Sequence, residues 1–206
     1  LTGFNRDFIA AARLDNLLSC HVGLSALIEA TSTQWSFLIC TDHEEVGSAS
    51  VAGAQGPMLT DVLTALSLDD NAERAARSRS WMMSVDNAHA VHPNFSDKHD
   101  DNHGPLLNRG PVIKINRNQR YATSGEGAAL TRVLADRAGV PIQSFVVRTD
   151  LGCGSTIGPI TAAETGIPTI DLGVPTLAMH SIRELAGAKD PEFLKQLLVA
   201  FYNRVA

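Results

Sequence analysis

The chain has 206 residues, 44% hydrophobic and 19% charged, enough to bury one globular α/β core with room for a small appendage, which excludes a disordered protein. A formal net charge of -5 argues against nucleic acid or an anionic membrane surface as partner, since both are held by clustered Lys and Arg. Three widely separated cysteines, Cys20, Cys40 and Cys153, two of them within apolar runs and with no CxxC, suggest reduced core thiols in a reducing, cytoplasmic compartment. No apolar stretch is long enough to span a bilayer and no secretory leader is visible, although the chain opens at Leu1 without a Met, so the missing leader carries little weight.

In chain order, apolar residues recur at helical spacing from Ala11 to Ala30 (Leu14, Leu17, Leu18, Val22, Ala26, Leu27), with Asp15 where a helix N-terminus favours a carboxylate. The run Trp35 to Cys40 is aromatic and branched and suggests a buried strand. It would deliver Asp42, His43, Glu44 and Glu45 to a strand's carboxyl end, where open α/β sheets bind ligands. Taken alone, adjacent Glu residues are usually a solvated loop; the rest of the chain shifts that reading. Pro57 starts a helix of about ten residues, and Asp69 to Arg79 forms a second, charged one. Trp81 to Val85 is a strand that ends at Asp86, with His89 three residues on. The loop holding His92, Asp97, His99, Asp100, Asp101 and His103 lacks a helical metal-binding spacing such as HExxH and suggests a solvated surface.

Pro111 to Asn116 alternates as a strand carrying Lys114. A helix from Gly125 to Ala138 and a strand from Ile142 to Val147 follow. The segment Gly152 to Pro159 has neither the Gly-Lys-Ser/Thr ending of a P-loop nor GxGxxG spacing, and suggests a backbone loop lining a site. Ile170 to Val174 suggests the final strand, Leu177 to Glu184 the opening of a helix that holds His180, and Pro191 to Val205 an outer helix. Strands alternating with helices imply a three-layer α/β fold, a mixed β-sheet with helices on both faces.

Asp15, Glu44, Glu45, Asp86 and His180 together supply carboxylates and an imidazole, donors that zinc accepts. Spread over five elements, they can meet only through the fold. Five stretches resemble, in order, the aspartyl aminopeptidase family of di-zinc metallopeptidases: Arg13 to Asn16, Asp42 to Ser48, Asp86 to Asn94, Gly110 to Lys114 with Asn118 to Thr123, and Met179 to Glu184. The resemblance implies a zinc-peptidase-like fold and two zinc ions bridged by Asp15, one completed by Glu45 and His180, the other by Asp86 and a further His. It implies Glu44 as general base acting on a bridging water, and His89, Lys114 and Tyr121 around the substrate. It implies release of a peptide's N-terminal residue, acidic ones preferred, by a cytoplasmic dodecamer in which Co2+ or Mn2+ could replace zinc, with neither nucleic acid nor membrane as partner. In the family an amino-terminal segment supplies the remaining His, and an inserted β-rich domain makes dimers. Neither is found here, so residues 1–206 correspond to the carboxyl-terminal catalytic portion. Two alternatives stay open: a non-catalytic metal-binding assembly subunit or truncated fragment, and a di-zinc N-acyl amino acid amidohydrolase.

Overall fold

The computed structural model describes residues 1–66 and 69–204. Its elements in order are β1 (Phe8–Ala11), α1 (Leu14–Glu29), α2 (Met58–Leu66), α3 (Asp70–Arg79), β2 (Met82–Val85), β3 (Ala88–His89), β4 (Val112–Ile115), α4 (Gly125–Ala138), β5 (Gln143–Val146), α5 (Ile157–Thr165), β6 (Thr169–Gly173), β7 (Pro175–Leu177), β8 (Glu184–Gly187) and α6 (Asp190–Tyr202), with short 3-10 turns at Glu44–Val46 and Pro93–Lys98. The strands form two four-stranded ladders, β1-β8-β7-β3 and β2-β6-β4-β5, each mixing parallel and antiparallel pairs. The ladders are two parts of one surface. Val85 pairs with Leu172 and Ala88 with Pro175, and between them the Asp86 amide donates to the Leu172 carbonyl, so one parallel pair runs unbroken through both.

Side-chain alternation on β6 divides the layers. Ile170 and Leu172 join the core built by α1, α4 and α6, while Asp171 points the other way, where its carboxylate lies against Gly158 of α5. Helix α1 turns Leu14, Leu18, Val22 and Ala26 inward at a spacing of four, against Leu194, Leu197, Leu198 and Phe201 of α6. Helix α6 packs as an outer helix against α1 and α4, with Leu194 and Leu197 fully buried and Glu192 and Gln196 exposed; Val205, expected to close it, lies outside the described residues. Helix α4 has the boundaries its sequence suggests. The Ser124 hydroxyl accepts from the Gly127 amide at its start, and Gly139 turns left-handed at its end.

Two expectations are corrected. Trp35 to Cys40 is extended but not a strand: it has no ladder partner among the described residues, Trp35 is 71% exposed, Leu38 tucks against α1 at Gly23, and Cys40, which meets Cys20 of α1, is exposed rather than a core thiol. Composition suited it to a sheet, but a strand exists only where a neighbour offers its backbone groups. Leu177 to Glu184 is not a helix. Ala178 and His180 take φ of 54° and 68°, which end right-handed helix formation, and the segment is the turn of an antiparallel hairpin in which β7 pairs with β8. Ile170 to Val174 is therefore not the last strand, and β1, β3, β7 and β8 were not read from the residue pattern.

Gly173 sits at the bend between the two ladders. A Cβ there would lie 1.7 Å from the Asp86 carbonyl oxygen, so only glycine allows β2 to pass close enough to deliver Asp86. Gly173→Ala should cost about 4 kcal/mol or more, in the range of severe backbone clashes, read as a large drop in the urea midpoint. A loss under about 1 kcal/mol would show that the pair can spread without penalty.

Asp190, fully buried at the start of α6, accepts from the amides of Asn108 (2.6 Å) and Gly110 (2.9 Å). Burial raises its carboxyl from the ordinary 3.8 to about 6, against the pull of those two amides. The folded state therefore keeps this proton between about pH 4 and 6, where the unfolded chain has lost it. The group's stabilising contribution is present below that window and is lost as pH rises through about 6. Asp190→Asn should flatten this stretch of the stability profile, checked by urea unfolding at pH 4, 5 and 6; a wild-type slope in the variant would contradict it.

Candidate metal centre

Asp86 leaves the carboxyl end of β2, Asp15 opens α1, Glu44 and Glu45 form a 3-10 turn, and His180 tops the β7–β8 hairpin. A cavity of about 270 Å³ gathers all five with His89, Lys114 and Tyr121, and Gly152, Gly154, Ser155 and Thr156 of the Gly-rich loop form part of its wall. All eight residues that the family resemblance assigns to the site line this one space.

The His180 Nε2 lies 3.1 Å from Asp15 Oδ2 and 3.1 Å from Glu45 Oε1. One donor atom from each of Asp15, Glu45 and His180 falls within 4.8 Å of the others, the one such cluster found among the described residues. Two carboxylate oxygens and an imidazole at this separation suit a borderline divalent ion, and three protein donors leave a position for water, as catalytic zinc requires. The electrostatics agree with that fit. Burial, Asp86 with its hydrogen bond to Asp15, and Glu45 raise the Asp15 carboxyl to about 9 against Lys114, so its ionised form lacks a compensating cation.

Asp86 behaves oppositely. Burial alone would raise it, but Lys114, whose Nζ lies 2.9 Å from Oδ2, together with the hydrogen bonds from Asp15 and the Asn87 amide, holds it below the usual carboxylate range. The opposite shifts make Asp15 the readier of the two to take up a proton. Lys114 itself is 3% exposed and stands 5.5 Å over the Tyr121 ring, so its charge is committed to this wall. Glu44 makes no ion pair among the described residues; burial first, then Asp86 and Glu45, raise it to about 7 against Lys114 and His180. Burial and Cys153 push the Tyr121 phenol well above its usual range, which keeps it a proton donor. At His89, burial followed by Lys114 and His180 favours the neutral ring.

Local backbone strain holds these groups. Arg13, His43, Ala178, His180 and Gln119, none of them glycine, all have positive φ beside or within the segments bearing Asp15, Glu44, His180 and Tyr121. Such conformations cost on the order of 1 kcal/mol or more each and persist only where surroundings enforce them. The Asn16 amide group donates to the Val85 carbonyl at 2.7 Å, tying α1 to the end of β2.

Three groups escaped the residue pattern. His99, assigned to a solvated loop, lines the cavity against Phe145, whereas Asp100 and His103 of that loop pair with each other outside it. Asp171, fully buried, accepts from the Ala122 amide and the Thr156 hydroxyl, both at 2.6 Å, and so fixes the Tyr121 turn and the Gly-rich loop on either side of the site. Glu184, also buried, accepts from the amides of Asp15 and His180. Only its place at the end of the Met179 to Glu184 stretch could have pointed to it.

Comparison with known proteins follows this geometry. A family model described as aminopeptidase I zinc metalloprotease (M18) matches residues 1–202. The protein named "Probable M18 family aminopeptidase 2" of Stutzerimonas stutzeri is 60% identical over 201 residues, covering 98% of this chain and 47% of the relative. Among solved structures, that of the Ape4 and Nbr1 complex matches at 42% identity and a TM-score of 0.92, over 98% of this chain and 41% of the other. The S. cerevisiae mApe1 dodecamer matches at 32% identity and a TM-score of 0.82, over 98% and 47%. The chain spans about half the length of the curated relatives it matches.

The three-donor geometry predicts that zinc raises the chain's melting temperature at micromolar concentration and that His180→Ala removes most of this rise. An equal rise in the variant would place the ion elsewhere.

Proposed function

We propose, from the premise that this chain belongs to the aminopeptidase I (M18) family of zinc metalloproteases, that it is the catalytic portion of a zinc-dependent aminopeptidase releasing N-terminal residues from peptides. The observation that carries this reading is the convergence of Asp15, Glu45 and His180 beside a carboxylate, Glu44, that is left outside the cluster. Bound zinc would polarise the scissile carbonyl and acidify water. Asp15, Glu45, His180 and Asp86 would hold the metal. Glu44, poised at about 7, takes a proton from the attacking water and passes it to the leaving amine. Tyr121, kept protonated, donates to the oxygen on which charge develops, and Lys114 keeps Asp86 ionised. Likeness to the family supports a preference for acidic N-terminal residues, with the His89 ring lining the cavity where such a side chain would lie.

The second metal position rests here on Asp15 and Asp86, and two carboxylates hold zinc less well than a set with imidazole. The chain alone should take one zinc tightly. A second ion, the last His ligand and a β-rich dimerisation domain would belong to the remainder of the relatives' length. By likeness to the yeast mApe1 dodecamer, the whole protein would be a homo-oligomer. No helix among the described residues is long and apolar enough to cross a membrane, and the three free thiols suit a cytoplasmic protein.

Asp- and Glu-initiated peptides should be hydrolysed by the full-length protein faster than N-acyl amino acids; the reverse order would favour an amidohydrolase. Glu44→Gln should lower turnover by about 10²- to 10⁴-fold, as expected for a removed proton-transfer group, with zinc content unchanged, whereas Glu45→Gln should lose zinc. Equal zinc loss in both would end this division of roles.

A further inference from the structure

We infer that Glu184 is the positioning residue of the metal centre: one buried carboxylate that fixes Asp15 and His180, the donors furthest apart in sequence, by their backbones. The inference rests on reading those two residues as metal ligands. Glu184 is 1% exposed at the first position of β8, where it pairs with Ala11 of β1, the strand that leads into α1. Its Oε2 accepts from the Asp15 amide at 2.9 Å and its Oε1 from the His180 amide at 2.6 Å. The carboxylate has no ion-pair partner among the described residues. A buried charge without a counter-ion is costly, and an apolar side chain would fill the same space more cheaply. What only a carboxylate offers here is two acceptor oxygens in one rigid plane.

That requirement follows from the local backbone. His180 has φ of 68° and sits in a turn beyond the β7–β8 ladder, and Asp15 follows Arg13, at φ of 60°. Neither segment holds its donor by regular hydrogen bonding, so the spacing of imidazole and carboxylate depends on the group that grips both. A glutamine keeps the shape but turns one acceptor into a donor facing an N–H. Aspartate keeps both acceptors and shortens the reach.

The test measures zinc affinity of this chain by competition with a chromophoric chelator, together with the visible absorption of the Co2+-substituted protein, for wild type, Glu184→Gln, Glu184→Asp and His180→Ala. Glu184→Gln should weaken zinc binding by about 10- to 100-fold, the usual cost of removing a group that orients a metal ligand, and should alter the Co2+ bands. Glu184→Asp should lie between it and wild type. A carboxylate that merely capped α1 would lower the melting temperature of the metal-free chain and leave both readings at wild-type values, which would overturn the inference. If Glu184→Gln does not fold, the same two readings on Glu184→Asp decide, wild-type values again overturning it. Wild-type affinity in His180→Ala would instead remove the premise that His180 is a ligand, a failure distinct from that of Glu184 alone.

Discussion

Crowding of like charge is the constraint on which the site depends. Asp15, Glu44, Glu45 and Asp86 face one cavity, and the buried cation among them is the Lys114 ammonium, spent on Asp86. Each carboxylate would repel the next if all were ionised, and the chain resolves this unevenly. Lys114 favours the charged form of Asp86, whereas burial and the neighbouring carboxylates raise Asp15 and bring Glu44 to about 7. A divalent ion at Asp15, Glu45 and His180 relieves the same repulsion, which is why the arrangement makes physical sense as a metal site and little sense as a structural one.

The fold supplies the crowding by continuity. A single parallel pair runs from β2 and β6 into β3 and β7, and Asp86 projects where that pair bends past Gly173. Around the bend, α1 and the β7–β8 hairpin bring in residues from opposite ends of the chain through segments of unfavourable backbone geometry. Buried carboxylates that touch no substrate hold those segments: Asp171 on the Tyr121 side, Glu184 on the Asp15 and His180 side, and Asp190 where the 108–110 loop meets α6. The scaffold relies on buried acids accepting backbone amides as much as on apolar packing.

Long periodic segments were legible in the sequence. Helices α1 and α4 and strands β2, β4 and β6 follow from apolar spacing and capping residues such as Ser124 and Gly139. Segments whose state depends on a distant neighbour were not. Trp35 to Cys40 has strand composition and no strand partner, and His180 sits in a hairpin turn because Ala178 and His180 itself go left-handed, which no propensity foretells. Of the eight candidate residues, Asp15, Glu44, Glu45, Asp86 and His180 were legible as donor types, and the family resemblance grouped them and added His89, Lys114 and Tyr121. The roles of Asp171 and Glu184 were not, because their oxygens serve backbone amides far along the chain, and a lone acid in a sequence does not reveal whom it serves.

X-ray absorption at the zinc edge of the metal-loaded chain tests the central claim most directly. The account predicts a first coordination shell of oxygen and nitrogen only, with the multiple scattering of a single imidazole, lost in His180→Ala. Sulfur at about 2.3 Å, from any of Cys20, Cys40 or Cys153, or an unaltered imidazole signal in the variant, would contradict it.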